Sequence, residues 1–202
     1  AQGTVSMAPR LEFNASPMAL VMDEGVVAED INITPEMCAS WFKYITPVLA
    51  GAAQAEGRMS VHLKGARVPL AQPMLASVAG TVSIEGARLQ PGPLAQQLLG
   101  TITEVSGVIQ RNAPSLSFLA AGENWLEIQP QDVEFQMTDG KVYHRNLELT
   151  SGNVTIRTQG WVGTDQSIGM LAEMPILDKW VEDEKFLSGL KGQTVKIPIQ
   201  GT

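Results

Sequence analysis

Apolar and polar residues alternate with a period of two along much of this chain. Because successive side chains on a strand point to opposite faces, that alternation predicts strands with one face buried. Val27, Ile31 and Ile33 carry the pattern around Ala28, Asp30 and Asn32. Met59, Val61 and Leu63 carry it around Ser60, His62 and Lys64, and Val82 and Ile84 continue it beside Ser83 and Glu85. In the second half it recurs at shorter intervals: Val133, Phe135 and Met137, then Leu147 and Leu149, then Val154 and Ile156. Asp139-Gly140 and Ser151-Gly152-Asn153 fall between these runs, and Gly and Asn accept the positive φ of tight hairpin turns. The spacing therefore predicts an antiparallel meander over residues 125–172. Val195, Ile197 and Ile199 form a last strand, where Pro198, which has no N–H to donate, predicts a sheet edge.

Three segments break the alternation and predict helices. Thr34-Pro35-Glu36 supplies a cap, a first-turn proline and an acid at the positive end of a helix dipole. Cys38, Trp41, Ile45, Val48 and Leu49 then share a face at helical spacing, with Pro47 expected to kink or shorten it. A second helix starts at Gly92-Pro93 and lines up Leu94, Leu98, Ile102, Val105 and Ile109. A third starts near Pro175, with Leu177, Trp180, Val181 and Leu187 apolar and Glu182 to Lys185 mostly facing water. The recurrence of strand, Pro-marked helix and further strands suggests a repeat, with a boundary within 112–124, where Asn112, Pro114 and Gly122 lie. The expected fold class is α+β: a twisted, mainly antiparallel sheet with about three amphipathic helices packed on one face. It divides into a β-rich half with two helices (1–111) and a β-meander half with one (112–202), possible parts of one continuous domain.

Composition narrows the function classes. With 202 residues, 44% of them hydrophobic and 17% charged, the chain is globular and long enough to bury a sizeable core. Its net charge of −7, with basic residues scattered, disfavours a nucleic-acid footprint and electrostatic docking on an anionic bilayer, while leaving contact with lipid tails open. The longest apolar stretches fall short of a membrane span. The amino end lacks an initiator Met and a signal pattern, so the chain reads as a piece of something longer.

Candidate chemistry is sparse. The Gly-x-Ser-x-Gly elbow and both standard phosphate loops are absent. His62 and His144 sit at polar positions of predicted strands, where solvent-facing histidines are favoured over catalytic ones. These two and Cys38 do not make a zinc site, and Cys38, on an apolar helix face, reads as a buried inert thiol. Asp23-Glu24 and Glu29-Asp30 are adjacent on strands and point apart, so they read as surface residues rather than a carboxylate pair for glycoside hydrolysis. Asn14, Asn32 and Asn153 begin glycosylation-like triplets; Asn32 and Asn153 read as turn or cap residues. No cofactor is expected. Met18, Met22, Met59, Met74, Met137 and Met170 would suit either an ordinary core or an adaptable apolar surface.

The run Gly80 to Leu94, the stretch LEIQPQDVEFQMTDGKVYHRNLELTSGNVTIRTQGWVG and the ending VKIPIQGT resemble the carboxy-terminal region of AsmA-like and TamB-like bacterial envelope proteins, over much of residues 75–202. The resemblance implies a periplasmic, non-catalytic segment tethered to the inner membrane from outside this chain. Its apolar β-groove would hold or conduct phospholipid acyl chains, or meet other envelope proteins. The expected contact patch is Val133, Phe135, Met137, Leu147 and Leu149. The interrupting helices depart from a plain groove of strands and favour a capped or terminal module. The alternative is a structural or protein-interaction module without lipid.

Overall fold

A computed structural model describes the backbone of residues 3–45, 47–109, 125–152, 154–176 and 191–201, and all their side chains except those of 41 and 102–109. Among these residues twelve strands form one antiparallel sheet. They are β1 (Thr4–Val5), β2 (Arg10–Glu12), β3 (Ala19–Met22), β4 (Gly25–Asn32), β5 (Ala55–Pro69), β6 (Ser77–Leu89), β7 (Leu126–Ile128), β8 (Gln131–Thr138), β9 (Lys141–Ser151), β10 (Val154–Gly163), β11 (Ile168–Pro175) and β12 (Thr194–Gly201).

Pairing follows the chain order closely. One side of β5 takes β4 and then β3, and its other side takes β6. The far side of β6 takes β8 and then β7, which lead through β9, β10 and β11 to β12 at the edge. Thus strands from before and after residues 112–124 share one sheet. Between β7 and β8 the ladder breaks at Gln129-Pro130. There the Gln131 carboxamide takes the ladder's place, accepting from Glu148 N–H at 2.9 Å and donating to Glu148 C=O at 2.8 Å.

The expectation of three amphipathic helices on the sheet is overturned. Among the described residues one helix is longer than two turns, α3 (Pro93–Ile109), opposite the twelve strands. The segment after Thr34 begins as expected, with the Thr34 hydroxyl accepting the Met37 N–H at 3.3 Å. It does not stay regular. α1 (Pro35–Met37) passes into a π-turn (Cys38–Phe42), then α2 (Lys43–Ile45), then a 3-10 turn (Pro47–Leu49). The π-turn inserts a residue and Pro47 removes a donor, so helical spacing is lost after little more than a turn. The expected third helix lies outside the described residues, as do Asn153 and the 112–124 boundary.

This broken segment nonetheless plugs the sheet. Phe42, Ile45, Val48 and Leu49, with Leu98 and Leu99 of α3, share one buried cluster with Met59, Ile84, Leu126, Leu149, Ile156 and Met174. The opposite face is polar, with cross-strand ion pairs Lys64–Glu134 (2.7 Å), Lys196–Glu173 (3.2 Å), Arg58–Glu85 (3.3 Å), Arg88–Glu127 (3.4 Å) and Arg157–Glu148.

Candidate functional site

Cross-strand register arranges the apolar face in rows. Nearest the β8–β9 turn lie Val78, Met137, Val142, Val162 and Ile168. The next row holds Leu63, Gly80, Phe135, His144, Gly160, Met170 and Ile199. Beyond it come Val82 and Val133 on one side and Leu147, Thr158, Ala172 and Ile197 on the other.

The five expected contact residues divide between these rows. Val133, Leu147 and Leu149 are sealed, with at most 2% of their surface exposed. Phe135 and Met137, nearer the turns, stay half-buried against the same core, as do Ile168, Ile197 and Ile199. The expectation of one reachable patch is therefore corrected to its turn-end part, since Val133, Leu147 and Leu149 are sealed in the buried cluster.

The loops bounding that end are apolar and exposed. Leu70 (46%), Met74 (55%) and Leu75 (54%) lie between β5 and β6, and Met18 (47%) precedes β3. These loops are tied together. Leu70 N–H donates to Met18 C=O at 2.9 Å, Thr164 N–H donates to Gly140 C=O at 2.8 Å, and the Thr164 hydroxyl contacts Met74 Sδ at 3.2 Å. Turns β5–β6, β8–β9 and β10–β11 thus gather beside the half-open row.

Phe135 owes its position to Gly80. A Cβ on Gly80 would stand 2.8 Å from the Phe135 ring and 2.5 Å from the His62 carbonyl, so only glycine lets the ring lie over the strand.

His144 is a correction: it is buried within the apolar face, 1% exposed, whereas His62 on the polar face is open. Counting back by twos from Leu147 puts His144 outside. The count fails because Arg145 and Asn146 are both exposed, with Asn146 at φ 58°, and the β9–β10 register slips between Thr158 and Gly160. A bulge of this kind shifts the face parity by one residue. The imidazole Nε2 lies 3.2 Å from the Thr158 hydroxyl, while Nδ1 has no partner among the described residues. Burial pushes its pKa down to about 4, opposed by the backbone of Ile45 in the plug. Near neutral pH the ring is uncharged.

Cys38 is fully buried, and desolvation raises its thiol to about 11. Such a thiol is protonated and inert. No group of three His, Cys, Asp or Glu among the described residues is placed to hold a metal ion. No described helix is long and apolar enough to cross a membrane. Sequence reasoning missed β1 and β2, whose residues are exposed, β3, whose four residues carry no alternation of burial, and the bulge that turns His144 inward. Isolated Asn146 offered the only hint of that bulge. No protein-family profile, curated protein or solved structure matches this chain.

Proposed function

We propose that this chain is a non-catalytic module of the bacterial cell envelope, periplasmic and tethered to the inner membrane by a segment outside this sequence, that takes phospholipid acyl chains onto the turn end of its apolar sheet face. One observation carries this reading. Burial falls from sealed Leu149 and Val133 to half-buried Phe135 and Met137, toward the end of the sheet where the loops carry exposed Leu70, Met74 and Leu75. An apolar surface that opens toward an apolar rim suits a chain that enters end-on, driven by removal of its methylenes from water. The polar face, laced with ion pairs, suits water. The resemblance to AsmA-like and TamB-like proteins points the same way, and the plug makes the module a capped groove rather than an open conduit.

Lipid extraction and mass spectrometry of the purified full chain tests this. Phospholipid is expected with the native chain and lost from Met137→Lys; equal lipid in both would refute the reading. A second reading, a structural or protein-interaction module without lipid, draws on the sealing of Val133, Leu147 and Leu149. Recovery of one stoichiometric protein partner from envelope extracts, with no lipid, would favour it.

A further inference from the structure

The polar face is uneven. Ion pairs cover it around β5, β6 and β7, but across β9 to β12 near the turns it carries Tyr143 and Trp161, which are directly opposite on β9 and β10. The next position in that row is Gly169, where a Cβ would stand 2.6 Å from the indole Cε2. Glycine there lets the indole lie across β11. The result is an open cleft of about 910 Å³, walled by Tyr143, Arg145, Gln159, Trp161 and Gln200. A second hollow of about 440 Å³ continues it over β8, and Tyr143 and Arg145 line both. At the usual spacing of about 4.8 Å between strands, the trough from β8 to β12 is about 19 Å across.

The chemistry of its walls is consistent. The Gln159 and Gln200 carboxamides have no hydrogen-bond partner among the described residues, and Arg145 lies in the field of Glu134 without an ion pair of its own among them. Lys141 stands on the other side of Tyr143, its Nζ 3.9 Å over the Trp161 ring and in the field of Asp165. Half-exposed aromatic rings beside unpaired amides and a planar guanidinium fork suit a sugar ring. Its C–H face lies against the ring, and its neighbouring hydroxyls pair with groups that donate and accept side by side.

We infer that the polar face of β8 to β12 is a binding site for a short acidic oligosaccharide, with Tyr143 as the stacking platform, Gln159 and Gln200 pairing with hydroxyls, and Arg145 facing a carboxylate. The site lies on the sheet face opposite the proposed acyl-chain surface and does not depend on it.

Calorimetric titration of the full chain with tetragalacturonate, and separately with neutral cellotetraose, tests this. Tetragalacturonate is expected to bind, Tyr143→Ala to weaken binding at least about tenfold while leaving the circular dichroism spectrum unchanged, and Tyr143→Phe to keep it. Met137→Lys is expected to leave sugar binding intact, which separates this site from the lipid reading. Binding of neither sugar, cellotetraose binding as tightly as the acid, or binding indifferent to Tyr143→Ala would overturn the inference.

Discussion

His144 shows how one backbone irregularity decides the chemistry of a side chain. An exposed histidine in this strand would titrate near its ordinary value; turned inward by the Arg145–Asn146 bulge, it is held near 4 by burial. The folded-state pKa lies below the unfolded value of 6.5, so the unfolded chain binds the proton more readily. The stabilisation from a neutral His144 is complete above pH 6.5 and is lost as pH falls toward 4, a change of roughly 3 kcal/mol. Urea denaturation midpoints across that range should fall with acid in the native chain, and His144→Leu should flatten that part of the slope; an unchanged slope would contradict the assignment. Gly80 is a second such residue. Gly80→Ala should cost about 1–3 kcal/mol, because the His62 carbonyl cannot move aside without breaking the β5–β6 ladder. Neither residue was legible beforehand, since alternation reports a face only while the register is unbroken. The Phe135 and Met137 positions were legible, because β8 runs without a bulge.

At the scale of elements, strands were read more truly than helices. β5, β6, β8, β9, β10 and β12 each contain the alternating run that announced them, and Pro198 sits on an edge strand. Apolar residues three and four apart served as the helix signal. Between Cys38 and Leu49 they reflect instead an irregular plug, in which Cys38, Phe42, Ile45, Val48 and Leu49 join the buried cluster without one regular helix to carry them. β12 shows how the edge is protected. Ile176 N–H donates to Gln193 C=O at 2.9 Å, and bonded pairs alternate, so Val195, Ile197 and Ile199 bond inward while Lys196 and Pro198 direct their backbone outward. A missing N–H and a charged side chain on that side blunt strand addition. Pro198→Val should restore the donor and promote association at high concentration by sedimentation velocity. A variant as monomeric as the native chain would show that the proline is not what guards this edge.

At the scale of the whole molecule, the described strands form a single sheet with two unlike faces. One is apolar and plugged along most of its length; the other is polar, with exposed ion pairs that each contribute little to stability. Core and candidate site are therefore the same surface at different depths. Leu149→Ala, under the plug, should cost about 2–5 kcal/mol in urea unfolding yet leave lipid uptake intact. Sequence pattern could place both on one face, but the depth at which the cover stops depends on how residues 35–49 fold back, a contact between segments about a hundred residues apart. An open turn end is tested most directly by photo-crosslinking the full chain to phospholipid with a diazirine at the acyl terminus, then mapping adducts by mass spectrometry. Adducts on Met137, Phe135 and Ile168, joined by Met74 and Leu75, are the expected result; no adducts, or adducts confined to the polar face, would contradict it.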